Sequence, residues 1–184
     1  MINDDQKIMT QLQRMDHQKK ELMSLIRSIS TESYLRQPDP YTWSAAQIAT
    51  HLYLSEKLSL AYLRKKLSYP DSLLPYNVKS WWSLHLVNFV LWSPIKVKAP
   101  APINMWKESE ILFPDDLDVK WNAVREEMTA LIAESMPQFK SHLVYNHPLS
   151  GRMTMRQMLI FFNHHIAHHI RQIHRGLKKT GINR

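Results

Sequence analysis

The chain contains no cysteine. That excludes a disulfide framework and any thiolate metal site, so a transition metal would have to be held by nitrogen and oxygen donors. Glycine is nearly as scarce, with three residues in 184. A strand-and-turn fold needs more turn residues than that, and no glycine-rich phosphate loop is present, which leaves nucleotide binding without support. No serine, histidine and aspartate arrangement stands out either, so nucleophilic serine catalysis is equally unsupported. Acidic residues are absent from the whole chain after Glu134, where Lys140, Arg152, Arg156, Arg171, Arg175, Lys178, Lys179 and Arg184 match the entire net charge of +8. Such a stretch reads either as a solvated basic face or as an attractor of anionic ligands or nucleic acid.

Long hydrophobic runs are missing too. The most apolar stretch, Trp81 to Trp92, falls short of the ~20 residues a membrane span requires. It reads as a short helix over the rest of the protein or as a homodimer contact, and no membrane partner is expected. The opening Met-Ile-Asn-Asp-Asp-Gln lacks the basic and apolar regions of a secretory signal, which makes a cytoplasmic protein the expectation.

What is present favours helices: 44% hydrophobic residues, ten methionines, and apolar positions at helical intervals. The length suits one domain, 1–184, and the expected fold class is all-α. Ile8, Leu12, Met15, Leu22, Ile26 and Ile29 mark a first amphipathic helix capped by Asn3 or Asp4, whose His17 is a surface residue. Pro38-Asp39-Pro40 enforces a turn. Ser44 with Gln47 spells a capping box that starts a second helix, running to about Leu67 and carrying His51 and Glu56. Residues 70–114 hold six of the ten prolines and read as a long excursion. A third helix is expected from about Asp115 to Ser135, with Pro137 limiting its end. Thr154 with Gln157 repeats the capping-box signal and opens a last helix to about Lys179.

That last helix concentrates the chemistry. Four of the ten histidines fall between His164 and His169, as two overlapping His-x-x-x-His pairs whose rings sit one helical turn apart. At about 100° per residue, Met155, Leu159, Phe162, Ile166, Ile170, Ile173 and Leu177 define the core stripe. His169 lies about 60° from its centre and His165 about 100° away on the same side, whereas His164 and His168 lie about 160° away, toward water. The inward pair could grip a metal ion as two neutral donors, or be hydrogen-bonded to the neighbouring helix or to water. His51 is the other histidine expected on a buried helix face.

At this point the sequence resembles the DinB-like superfamily. The resemblance rests on Trp43-Ser44, His51-Leu52 and Glu56, then on Gly151-Arg152-Met153-Thr154 leading into His165-x-x-x-His169-x-x-Gln172. It covers most of the chain. It implies a four-helix bundle with a long crossover insertion between the second and third helices, a role the proline-rich excursion would fill. It also implies a divalent metal held by His51, His165 and His169, with zinc, nickel, iron and cobalt not distinguished by such donors. Characterised relatives include bacillithiol-using thiol transferases and a mycothiol-dependent isomerase. The implied reaction is therefore metal-assisted attack by a low-molecular-weight thiol, or by water, on a small-molecule substrate. Glu56 and Gln172 are the candidate catalytic residues. Gln172 would touch a ligand or steady an imidazole; Glu56 would orient His51 or act as a base, unless it is simply exposed or paired. A non-catalytic metal- or small-molecule-binding bundle uses the same histidines, while a nucleic-acid role for Arg171, Arg175, Lys178 and Lys179 lacks any reading motif and is not expected.

Overall fold

The computed structural model describes residues 3–76, 111–147 and 151–181. Four long helices dominate: α1 (Asp4–Arg27), α3 (Ala45–Leu67), α4 (Pro114–Phe139) and α5 (Met155–Lys179), with a short α2 (Thr31–Leu35) between the first two. The expected helix starts are present as hydrogen bonds. Ser44 Oγ accepts from the Gln47 N–H at 3.2 Å while Gln47 Oε1 accepts from the Ser44 N–H at 2.9 Å. Thr154 and Gln157 repeat the exchange at 3.3 and 3.0 Å, and Asn3 with Gln6 caps α1. Each box satisfies N–H groups that the first turn leaves without partners.

α1 packs chiefly against α5, and α3 against α4, while α1 with α4 and α3 with α5 close the ring. The ring order α1, α5, α3, α4 makes α3 and α5 neighbours along their inner faces. Leu52, Leu63, Trp121, Met128, Phe162 and Ile166 are among the side chains that fill the interior. The connection from α3 to α4 runs over residues 68–113. Its described ends are a 3-10 turn at Pro70–Ser72, strand β1 (Leu74–Pro75) and Ile111 to Phe113. The expected Trp81–Trp92 helix or dimer contact lies outside the described residues.

Three features depart from the sequence expectation. α2 was not foreseen; its five residues are too few to show a period, although Ser30 caps it by accepting from the Ser33 N–H at 3.2 Å. α4 does not stop before Pro137 but continues to Phe139. A proline ring there removes one late backbone bond, and the last turn still closes through the Lys140 N–H to the Met136 carbonyl at 3.1 Å. Between α4 and α5 stand short strands: β2 (His142–Leu143) pairs with β1, and β3 (Tyr145–His147) with β4 (Gly151–Met153), both antiparallel. Gly151, at φ 72°, takes the left-handed conformation that glycine adopts without strain. No helix among the described residues is long and apolar enough to cross a membrane.

The faces of α3 away from α5 are held by charge. Arg125 of α4, 5% exposed, donates through Nη2 to Glu56 Oε1 at 2.7 Å, through Nε to Glu56 Oε2, and through Nη1 to Asp16 of α1 at 3.0 Å. Trp121 Nε1 donates to the same Glu56 Oε2 at 2.8 Å. Lys19, also 5% exposed, is taken up by Asp118 and Asn122. Burying a guanidinium or an ammonium is tolerable only with such compensation.

Candidate metal centre

α3 delivers His51 from its second turn, and α5 delivers His165 and His169 from successive turns of one face. The ring order of the bundle turns these two faces toward each other. His165 Nε2 lies 3.2 Å from His51 Nε2 and 3.1 Å from His169 Nε2, and donor atoms of the three residues all lie within 4.8 Å of one another. His51 and His169 are 4% and 8% exposed, and His165 keeps somewhat more surface.

These contacts cannot all be hydrogen bonds. His169 Nδ1 sits 2.8 Å from Gln172 Oε1, an oxygen that can only accept, so Nδ1 carries the proton and the Nε2 of the neutral ring presents a lone pair to the cluster. His165 Nε2 has either one proton or one lone pair, yet it faces two imidazole nitrogens. A proton given to His169 leaves nothing for His51, and a lone pair leaves two lone pairs opposed at His169. A cation accepted by all three nitrogens removes the conflict. The spacing suits one: nitrogens at about 2.0–2.1 Å from a shared tetrahedral ion are about 3.3 Å apart. The donor set thus fits a divalent first-row metal, with no sulfur ligand required.

The electrostatics keep the lone pairs available. Burial pushes the His51 imidazole down to about 4. His165 and His169 are held well below the ordinary histidine value, by burial first and by neighbouring imidazoles second. All three are neutral at pH 7, the state a metal ligand needs.

Aromatic rings close the sides. Trp43 lies 5.1 Å, centroid to centroid, from His51 and 6.4 Å from His169, nearly parallel to the latter at 14°. Phe161 stacks on His165 at 5.3 Å and 17°. Neither was singled out as a site residue from the sequence; Phe161 was legible in principle, being one turn before His165 on the same face. His147 of β3 stands 4.4 Å from Phe161, centroid to centroid, and burial lowers its imidazole to about 4.

The other candidates fall in two places. Gln172 is at the cluster and holds an imidazole, one of the two roles expected of it. Glu56 is not among the clustered donors: both its oxygens are engaged by Arg125, and one also by Trp121, the paired state that the sequence left open. Of the outer histidines, His164 is exposed, whereas His168 is half-buried with its ring edge-on to His169 at 5.3 Å. The helical angle placed His168 in water because it counts only the Cα direction, and the ring turns back along the helix.

Comparison with known proteins gives two matches. The family model of the DinB superfamily matches residues 14–173. Among solved structures, the chain is similar to YfiT from Bacillus subtilis, described as a probable metal-dependent hydrolase with an unusual four-helix bundle topology. The TM-score is 0.62 at 18% identity, over 100% of this chain and 92% of that one, a likeness of fold. No curated protein matches the sequence significantly.

Proposed function

The chain belongs to the DinB superfamily, and on that premise we propose that it is a metal-dependent enzyme whose His51, His165 and His169 hold a divalent ion. The reaction is attack by a small nucleophile on an electrophilic small molecule: a low-molecular-weight thiol in a transferase, or water in a hydrolase, the activity ascribed to YfiT. The reading is supported by one observation above the others, the convergence of three neutral imidazole nitrogens that cannot satisfy one another. When bound, the ion supplies Lewis acidity, which brings the ionisation of water or a thiol toward neutral pH.

The chain's own residues do the rest. α3 and α5 are rigid elements, so the three nitrogens are positioned before any ligand arrives. Gln172 fixes the tautomer and the plane of His169. Trp43 and Phe161 pack the imidazole faces and exclude water from the sides of the cluster, leaving His165 the most exposed of the three.

Elemental analysis of protein purified without a histidine tag tests the site: about one ion per chain is expected, and none after His51→Ala. No stoichiometric metal in the wild type after reconstitution refutes it. The reaction is then tested by offering metal-loaded protein an activated ester alone, or a model alkylating electrophile with bacillithiol, mycothiol or glutathione. Turnover in either arm that disappears in His51→Ala supports an enzyme; no rate above background in both leaves a metal-binding bundle.

A further inference from the structure

The turn at Pro38-Asp39-Pro40 packs on one of the chain's three glycines, Gly176 of α5. Asp39 closes the turn on itself: Oδ1 accepts from the Tyr41 N–H at 2.9 Å, and Oδ2 accepts from the Thr42 hydroxyl at 2.7 Å. The next residue, Trp43, stands just before the Ser44 cap of α3. Gln37 fastens the segment to α3, its Nε2 donating to Gln47 Oε1 of the capping box at 3.1 Å. On the other side Lys179 of α5 donates to Asp39 Oδ2 at 3.4 Å.

Gly176 is the informative contact. It is buried within α5, where glycine stabilises a helix less than alanine does and where no positive φ calls for it. Its use is the room it leaves. A Cβ at this position would stand 3.0 Å from Pro38 Cγ, so the loop lies closer to α5 than a larger residue would allow without displacement. The cavity bounded by Pro38, Trp43, Ala45, Ile173, Gly176 and Leu177 measures about 10 Å³, at the limit of what one water needs, which leaves little slack between Pro38 and Trp43. At the end of the loop the Trp43 ring meets ligands from both helices. It lies 5.1 Å from His51 of α3, and 6.4 Å from His169 of α5 at an angle of 14°.

We infer that the Pro38–Trp43 loop is a strap that positions the metal ligands: seated against α5 at Gly176, it holds the Trp43 ring on His51 and His169 and so sets how the two helices present their donors. Trp43 is thus a positioning residue, and Gly176 acts through it. The inference rests on the proposal that the three histidines hold a metal ion.

The test measures the cobalt(II) affinity of the full chain by competition with a chelator. The visible spectrum of the bound ion reads the ligand geometry, and urea unfolding of the metal-free protein reads stability. Trp43→Leu should weaken cobalt binding by about tenfold, the lower end of the loss when a group that orients a metal ligand is removed, and should shift the visible bands. Trp43→Phe keeps an aromatic face against His169 and should bind more tightly than Trp43→Leu. Gly176, about 10 Å along the helix axis from His169, gives the sharper test. Gly176→Ala should weaken binding by about twofold or more, and the loss should vanish when it is made in Pro38→Ala, which lacks the Cγ it would meet. Met128→Ala, a buried change in α4, should lower stability and leave the affinity of the folded protein unchanged. Wild-type affinity and spectrum in Trp43→Leu overturn the inference alone, as does an equal loss of affinity in Met128→Ala. So does a Gly176→Ala protein that binds as wild type does, or whose loss Pro38→Ala fails to relieve. Failure of the wild type to take up about one cobalt per chain overturns the metal proposal and this inference with it.

Discussion

Replacing Gln172 separates a metal-binding arrangement from a merely packed cluster of histidines. In the structure the Gln172 oxygen accepts the Nδ1 proton of His169 at 2.8 Å, and His169 is 8% exposed. Gln172→Leu removes the acceptor. The proton is then free to move to Nε2, where it blocks the lone pair, and the ring loses the bond that sets its plane. Loss of such a partner typically weakens metal binding by about 10- to 100-fold, or about 1.4–2.7 kcal/mol. Gln172→Glu supplies a charged acceptor to the same nitrogen, and a charge-assisted bond is roughly twice as strong as a neutral one, so this variant should bind zinc more tightly than wild type. Zinc affinity is measured by competition with a chromophoric chelator, and the metal-free proteins are compared by urea unfolding. If Gln172→Leu binds zinc as wild type does, or if Gln172→Glu binds more weakly than Gln172→Leu, the assignment of His169 Nε2 as a donor fixed by Gln172 fails.

Other consequences follow from the same geometry. The metal-free protein should lose stability as pH falls from about 6.5 to about 4: His51 protonates near 6.5 in the unfolded chain but only near 4 when folded, so the stabilisation is full above 6.5 and lost below it. His51 alone accounts for about 3 kcal/mol of that loss, and urea midpoints of wild type and His51→Gln across this window should converge at low pH. Glu56→Gln leaves Arg125 buried beside a neutral amide and should cost about 3–5 kcal/mol in chemical unfolding, while the folded fraction still takes up about one metal ion per chain. The hydrogen bond from Lys19 holds the Asp118 carboxyl below its usual range, so Asp118 stabilises the fold above pH 3.8 and loses that effect as pH falls through its folded value. Asp118→Asn should therefore lower the thermal midpoint at neutral pH and flatten the dependence on pH below 4.

Local signals were the legible ones. The boxes at Ser44 and Thr154 need only residues three apart, and both closed as read. The choice of His165 and His169 over His164 and His168 needed only the helical period and the positions of seven apolar residues. That His51 meets them depends on which helices are neighbours, which no local period encodes, and the family resemblance supplied it. The pairing of Arg125 with both Glu56 and Asp16 joins three helices over more than sixty residues of sequence, and nothing near any of the three announces it. Strands of two or three residues are shorter than an alternation pattern can show, and the ring of Trp43 reaches the cluster from the segment before α3, whose path the period does not fix.

The position of Glu56 bears on how the site is built. It follows His51 by five residues, which turns it about 140° around α3 from the imidazole. One face of α3 thus carries a donor toward α5 while another is tied through Arg125 to α4 and α1. To act as a base at the cluster, Glu56 would have to abandon a buried guanidinium and the Trp121 indole, leaving the indole without an acceptor and the guanidinium with Asp16 alone. Its place five residues after His51 is then a matter of anchoring. A rigid ion pair fixes the rotation of the helix, and the rotation fixes where His51 points. The charges at Glu56, Arg125 and Asp16 thus lock helices together, and the face of α3 turned toward α5 is left to a neutral imidazole.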